Sequence, residues 1–204
     1  CPFLSLENFM LMKNMERSYL IIHGLNGSGE GHWQNWLYKE LLKRGENVLF
    51  PQLPNKEEPV RESWIKELER NMIELNGEKI VICHSLGAYL WLLYSQKEDR
   101  VTADRVLLVA PPGHKEAEVI ARGFKERYID SGKLKSSSRE LRLVVSENDE
   151  YCSKNGAVEY GRNLGIDTDI LPPEAGHINI KSGYGSWNSV LDWALDGSIR
   201  IKER

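Results

Sequence analysis

The sequence predicts an α/β fold in which a mostly parallel sheet of about six strands is covered by helices on both faces. Strand-like runs alternate with helix-like periods along the chain, a pattern typical of parallel sheets. Two runs, 80–83 and 106–110, are apolar without a break, as in strands buried on both sides. The length of 204 residues, with 41% hydrophobic and 28% charged residues, fits one folded domain.

Short apolar runs and helical periods succeed one another through the first half of the chain. Strands are predicted at 19–23, 47–50 and 79–83, and helices at 33–43, 59–75 and 85–96. The helices show apolar residues at spacings of three and four. Gly24 and Pro51 end the first two strands, Gly45 and Gly77 end the first two helices, and Pro59 opens the second helix.

The second half continues the alternation. Strands are predicted at 105–110, 141–145 and 168–171, and helices at 154–164 and 186–195. The charged stretch 114–138 is partly amphipathic and is the natural place for a lid. A surface helix and loop that cover nothing is an equally good interpretation, since the stretch is only about two dozen residues long. Ligands bind such sheets at the carboxyl ends of the strands, so we expect functional residues in the loops that follow them.

Charge and hydropathy argue against two classes of partner. Lys and Arg total 27 and Asp and Glu total 30, a formal net charge of −3, whereas binding nucleic-acid phosphates takes a concentrated excess of basic residues. The longest apolar run, 88–94, is far shorter than the roughly 20 residues that cross a membrane. We therefore expect no nucleic acid and no membrane as partner.

Residues 1–17 are predicted to be an N-terminal extension, disordered or foreign to the natural protein, and 18–204 the folded domain.

The cysteines and the glycine-rich loop predict no metal and no cofactor. Cys1, Cys83 and Cys152 are odd in number and lack C-x-x-C spacing, so neither a disulfide framework nor a metal site is expected. Free thiols favour a reducing compartment, and we expect a cytoplasmic location. The loop at 23–29 lacks the lysine and the spacing of a phosphate-binding loop and matches no dinucleotide fingerprint.

Ser85 is the candidate nucleophile. The third strand ends in Cys83-His84-Ser85-Leu86-Gly87 and passes directly into a helix, close to the G-x-S-x-G nucleophile elbow. A serine on such a turn projects its hydroxyl clear of the backbone, and the following N–H and the helix N-terminus favour an oxyanion there. Cys83 departs from the pattern because its Cβ leaves the turn less room. Taken alone, the five residues fit a serine that caps a buried helix about equally well.

The order of the later residues favours the catalytic interpretation. A hydrolase of this type needs an acid after a later strand and a histidine after the last one. Asp149 follows the fifth predicted strand and His177 the sixth, while Glu147 and Glu150 are competing acids. In this interpretation His177 takes the proton of Ser85 and returns it to the leaving group, and Asp149 holds the imidazole tautomer.

Other residues near the strand ends have supporting roles in this interpretation. The N–H of Leu25, in the loop after the first strand, is predicted to be an oxyanion donor beside the N–H of Leu86. His84 is expected to pack beside the nucleophile. His32 is expected to cap a helix or to lie on the surface.

Five segments form a set that extends from about residue 19 to residue 193: HGLNGSGEGHWQNWL, CHSLGA, LLVAPP, SENDEYC and GHINIKSGYGSW. Together they resemble the small α/β-hydrolase family of retinoblastoma-binding protein 9 and its bacterial relatives. The resemblance implies a compact α/β-hydrolase with strand order 2-1-3-4-5-6, little or no lid and no cofactor. It assigns Ser85, Asp149 and His177 as nucleophile, acid and base. The L-x-C-x-E sequence associated with retinoblastoma-protein binding is absent, so that partner is not expected.

The sequence predicts hydrolysis of small soluble esters or amides through an acyl-enzyme on Ser85, with this small-molecule substrate as partner. Little lid would leave the site open and favour short acyl groups. Two alternatives stay open: a non-catalytic binding or scaffold protein on a hydrolase fold, and an acyltransferase that passes the same acyl group to another acceptor. Dehalogenases and epoxide hydrolases of this fold are disfavoured because they need Asp at position 85. No oligomeric state is predicted.

Overall fold

Six parallel strands form one sheet in the computed structural model, which describes residues 16–125, 128–152 and 154–204. The strands are β1 (Arg17–Ile22), β2 (Asn47–Leu49), β3 (Glu78–His84), β4 (Ala103–Val109), β5 (Ser138–Ser146) and β6 (Asp167–Leu171). Their order is β2-β1-β3-β4-β5-β6, and every neighbouring pair is parallel. The predicted fold class and strand order are confirmed.

Helices connect successive strands, and one further helix follows the last strand. They are α1 (Trp33–Lys43), α2 (Arg61–Glu74), α3 (Leu86–Tyr94), α4 (His114–Ile120), α5 (Ser131–Lys135), α6 (Lys154–Leu164) and α7 (Asn188–Leu195), with short 3-10 turns at Pro173–Ala175 and Ile180–Ser182. Most bounds differ from the predicted ones by one to a few residues. β5 starts three residues before its predicted start because its first residues are polar and form no apolar run.

The boundary of the expected N-terminal extension falls at the first strand. β1 begins at Arg17, so this residue is part of the sheet. Residues 1–15 lie outside the described residues, and the expectation of an extension there stays a prediction.

The central strands are apolar throughout because alternate side chains enter two cores on opposite faces of the sheet. Leu20 of β1 and Val81 of β3 join a core under α2, α3 and α6, whereas Tyr19 and Ile80 join a core under α1 and α7. Because all six strands are parallel, their carboxyl ends lie at one edge of the sheet, between the two layers of helices.

Strand β6 is the half-exposed edge of the sheet. Leu171 is buried at its end, but Ile170 is 51% exposed. Its Asp169 carboxylate accepts hydrogen bonds from Arg142 of β5 at 3.2 Å and from Arg200 at 3.1 Å. Charged contacts therefore supplement a small apolar contact in holding this strand.

The charged stretch 114–138 contains α4 and α5, and residues 126–127 within it lie outside the described residues. Ile120, at the end of α4, lines the cavity beside Ser85. The stretch therefore supplies part of one wall of that cavity. Among the described residues, no helix combines the length and the apolar character needed to cross a bilayer.

Candidate active site

Ser85 lies on a sharp turn between β3 and α3. Its backbone has φ 54° and ψ −125°, a conformation that costs a non-glycine residue about 1–3 kcal/mol and persists only where its surroundings enforce it. The N–H of Ser85 donates to the carbonyl of Val109 at the end of β4, at 2.9 Å. A Cβ on Gly87 would lie 2.5 and 2.7 Å from two carbonyl oxygens at the end of β1, and one on Gly24 would lie 2.8 Å from the Cβ of Ser85. These two glycines allow both neighbouring loops to approach the serine.

Cys83 does not crowd this turn. It is a residue of β3, lies opposite Ile22 of β1 and Leu108 of β4, and is fully buried in the core under α3. Burial raises the pKa of its thiol well above the usual range. Cys152 is also buried and free, and its pKa is raised to about 12, chiefly by burial. Both side chains are therefore thiols rather than thiolates at neutral pH, so neither is activated as a nucleophile.

Ser85, His177 and Asp149 form one connected hydrogen-bonded set. The Nε2 atom of His177 is 2.8 Å from the hydroxyl oxygen of Ser85, and its Nδ1 is 2.9 Å from both carboxylate oxygens of Asp149. Since a carboxylate can only accept, Nδ1 carries the hydrogen and Nε2 is free to accept from the serine. The structure thus brings all three predicted residues together, and the carboxylate that contacts His177 is that of Asp149 rather than that of Glu147 or Glu150.

The Asp149 carboxylate is fixed from its own loop. The backbone N–H of Tyr151 donates to its Oδ1 at 2.8 Å, and the carboxylate side chain is only 2% exposed. The ring of Tyr151 lies 4.5 Å from the ring of His177 in an edge-on arrangement. The imidazole is therefore confined between this carboxylate, an aromatic ring and the serine.

The backbone around His177 is held by two further contacts. Gly176 and Ile178 on either side have φ of 48° and 51°, and the hydroxyl of Ser146 donates to the carbonyl of Gly176. The Nε2–H of His84 donates to the carbonyl of His177 at 3.0 Å. Burial, followed by the neighbouring histidines, lowers the pKa of His84 well below its usual value, so this donor is neutral at physiological pH. The expectation that His84 packs beside the nucleophile is confirmed.

The loop after β1 is oriented by a buried histidine. The Nδ1–H of His23 donates to the carbonyl of Gly24 at 2.7 Å, and its Nε2 accepts from the N–H of Leu53 at 3.0 Å. Because a trans peptide directs its C=O and N–H in opposite directions, this contact turns the N–H of Leu25 away from His23. Among the described residues, no acceptor receives the N–H of Leu25. The N–H of Leu86 opens α3, where the first N–H groups lack intrahelical acceptors.

A cavity of about 270 Å³ opens beside Ser85 and His177. Its apolar lining comes from side chains of Leu25, Ile120, Tyr151 and Ile180, and its polar lining from Asn26, His32, His84, Asn179 and Lys181. The volume lies near the lower end of the range for small-molecule sites. Sequence patterns did not identify Ile120, Tyr151 or Lys181 as lining residues, because only tertiary packing brings these segments to the cavity.

The comparisons with known proteins agree with this geometry. Residues 19–194 match the model of a family described as serine hydrolase. The chain is 34% identical over 183 residues to YdeN, a proposed hydrolase of Bacillus subtilis (strain 168), and the match covers 87% of this chain and 94% of that protein.

Solved structures show the same fold. The ydeN gene product of B. subtilis superposes with a TM-score of 0.75, with 22% of the superposed positions identical, over 87% of this chain and 95% of that chain. A proposed YdeN-like hydrolase from Pectobacterium atrosepticum SCRI1043 gives 0.70 at 20% identity, over 97% and 100% of the two chains. Est1E from Butyrivibrio proteoclasticus, solved with ferulic acid bound, gives 0.66 at 12% identity over 90% and 91%.

Proposed function

Since the chain belongs to the serine hydrolase family, we propose that it cleaves small carboxylic esters or amides through an acyl-enzyme on Ser85. The observation that carries this proposal is the connected set of contacts, 2.8 Å from Ser85 to His177 and 2.9 Å from His177 to Asp149. In each step the ring of His177 moves one proton, and Asp149 stabilises the imidazolium that forms.

The reaction begins when the hydroxyl of Ser85 attacks the acyl carbonyl and its proton passes to the Nε2 of His177. The resulting oxyanion is stabilised by the N–H groups of Leu25 and Leu86 and by the N-terminus of α3. The imidazolium then protonates the leaving alkoxide or amine. A water molecule, deprotonated by the same nitrogen, attacks the acyl-enzyme, and collapse of the second tetrahedral intermediate releases the acid and restores Ser85.

The dimensions of the cavity support small substrates. About 270 Å³ accommodates a short acyl group and a small leaving group, whereas most of a long fatty-acyl chain would extend beyond the cavity. We expect kcat/KM to fall along a series of p-nitrophenyl esters from acetate to dodecanoate. A rise towards the long chains would contradict the size limit.

The partner and the location are part of the same proposal. We propose a small-molecule substrate, with neither nucleic acid nor membrane as partner, supported by the formal net charge of −3. The free thiols of Cys83 and Cys152 support a reducing compartment, and we propose the cytoplasm.

A fluorophosphonate probe followed by intact mass measurement tests the proposal, because it reports an activated serine without requiring the substrate. We expect one probe per chain in the wild type and none in Ser85→Ala. Asp149→Asn should label and turn over about 10⁴-fold more slowly, since the imidazole would lose its tautomer. Absence of labelling of folded protein at every pH from about 6 to 9, a range over most of which a histidine is neutral, would refute the proposal in favour of a scaffold.

Transfer of the acyl group is tested in the same assay. With an amine or alcohol added to the ester reaction, a hydrolase yields chiefly the free acid. Predominant formation of the new ester or amide would favour the acyltransferase instead.

A further inference from the structure

Two neighbouring segments of the cavity lining carry His32 and Lys181. The segment that contains Gly31 lies against the turn Ile180–Ser182, with the Cδ1 of Ile180 3.9 Å from where a Cβ on Gly31 would lie. Both His32 and Lys181 line the cavity that contains Ser85. The proposed hydrolysis uses neither side chain.

His32 presents an unused hydrogen-bond donor to this cavity. The residue is 5% exposed, and its Nδ1 accepts the N–H of Gln34 at 3.2 Å, where it caps α1. Since the lone pair of Nδ1 is occupied, the hydrogen of the neutral ring is on Nε2. No described residue accepts from that Nε2, and it is not among the fully enclosed atoms without a partner, so it is open to the cavity.

The ring of His32 stays neutral across the working pH range. Its pKa is lowered to about 4, first by burial and then by the neighbouring His177 and His23. The neutral ring retains both the acceptor that caps α1 and the donor that faces the cavity. The sequence expectation of a helix cap is confirmed, whereas the alternative of a surface position is wrong, because the ring packs against those of Trp33 and His84 and is only 5% exposed.

The charged side chain in this lining is the lysine, Lys181. Among the described residues, Lys181 forms no ion pair, and no aspartate or glutamate is part of the cavity lining. The carboxylate of Asp149 lies behind His177 and is occupied by it. The N-terminus of α1, which His32 caps, adds the positive end of an eleven-residue helix.

We propose that this part of the cavity lining binds a carboxylate of the substrate, so that the preferred substrates are small esters or amides that carry one. The Nε2–H of His32 donates a hydrogen bond to that carboxylate, and the ammonium of Lys181 neutralises its charge. The apolar side chains of Leu25 and Ile120 contact the remainder of the substrate. This inference rests on the proposed hydrolysis at Ser85.

Two matched pairs of substrates test the inference. 4-Acetoxybenzoate and 4-acetoxybenzamide place the charge or its neutral counterpart on the leaving group. The mono-p-nitrophenyl ester of adipic acid and the corresponding adipamide ester place it on the acyl group. We expect kcat/KM to be about tenfold higher for the anion in at least one pair, mostly through KM, and the ratio to fall between about 0.05 and 0.5 M salt because the charge is screened.

Three variants separate binding from folding. Lys181→Met should lower the ratio of anionic to neutral kcat/KM by about fivefold or more, whereas Lys66→Met, which removes the same charge from α2, should leave the ratio unchanged. His32→Asn retains an N-cap acceptor for α1 but loses the ring donor, so it should lower the ratio while the melting temperature stays near that of the wild type.

Equal kcat/KM within both pairs, or a ratio unaffected by Lys181→Met, would overturn this inference alone if Ser85 still reacts with the fluorophosphonate. Absence of both labelling and turnover would overturn the proposed function and the inference together. A ratio lowered equally by Lys66→Met would also overturn it, since the effect would then reflect the overall charge of the protein.

Discussion

Gly24 allows the loop after β1 to approach the nucleophile closely, and Gly24→Ala perturbs that approach. The new Cβ would lie 2.8 Å from the Cβ of Ser85 and 3.2 Å from its hydroxyl oxygen. Carbon atoms in contact are about 3.5–4.0 Å apart, so the loop or the serine must move by roughly 0.7 Å or more. Overpacking of this kind costs about 1–3 kcal/mol of unfolding free energy. Misplacement of a reacting group by about 1 Å costs about 10²-fold in rate, so we expect a loss of about 20- to 100-fold.

The second-order rate constant for fluorophosphonate labelling measures this loss, with thermal unfolding measured in parallel. Gly29→Ala is the matched control in the same loop, because a Cβ there meets nothing within 4 Å. That variant should label at the wild-type rate and unfold within about 0.5 kcal/mol of the wild type. Wild-type labelling by Gly24→Ala would refute the argument that the close approach of this loop positions the serine.

Two further outcomes follow from the buried histidines. His84→Phe removes the donor to the carbonyl of His177 and should cost about 1–3 kcal/mol of stability and slow labelling, whereas His84→Gln, which keeps an N–H, should recover part of both; equal rates for the two variants would contradict this role. In the folded protein, burial lowers the pKa of His23, His32 and His84 below the 6.5 of an exposed ring, so below about pH 6.5 the unfolded chain binds protons that the folded chain does not. The contribution of these rings to the free energy of unfolding is therefore fully present above about pH 6.5 and is lost as the pH falls towards about 4. His32 accounts for at most about 3 kcal/mol of this loss. Urea denaturation at pH 7.5 and 4.5 measures this decline in the free energy of unfolding, which should be smaller in His32→Asn. An equal decline in the variant would contradict the contribution assigned to His32.

Local patterns predicted those parts of the site that depend on position along the chain. Asp149 and His177 could be chosen because each follows a strand, and parallel strands bring their carboxyl ends to one edge. Whether Cys83 crowds the nucleophile turn could not be judged in the same way. It depends on the face of the sheet that the side chain of Cys83 enters, and in the structure that side chain lies in the core under α3. His32 was assigned as a helix cap or a surface residue, yet it is buried, and its ring lies 5.0 Å from that of His84, which is about 50 residues later in the chain. The start of β5 at Ser138 was missed because pairing with β4, rather than an apolar run, defines it.

From the attachment of β6 at the edge of the sheet we expect an inactive state short of global denaturation. Asp149 follows β5 and His177 follows β6, so detachment of β6 alone would carry the imidazole away from Ser85 while β1 to β4 stayed paired. Elements with little apolar burial open at a lower free energy than the core. We therefore expect function to be lost and regained by local unfolding at this edge, so that activity would disappear before the whole fold is lost.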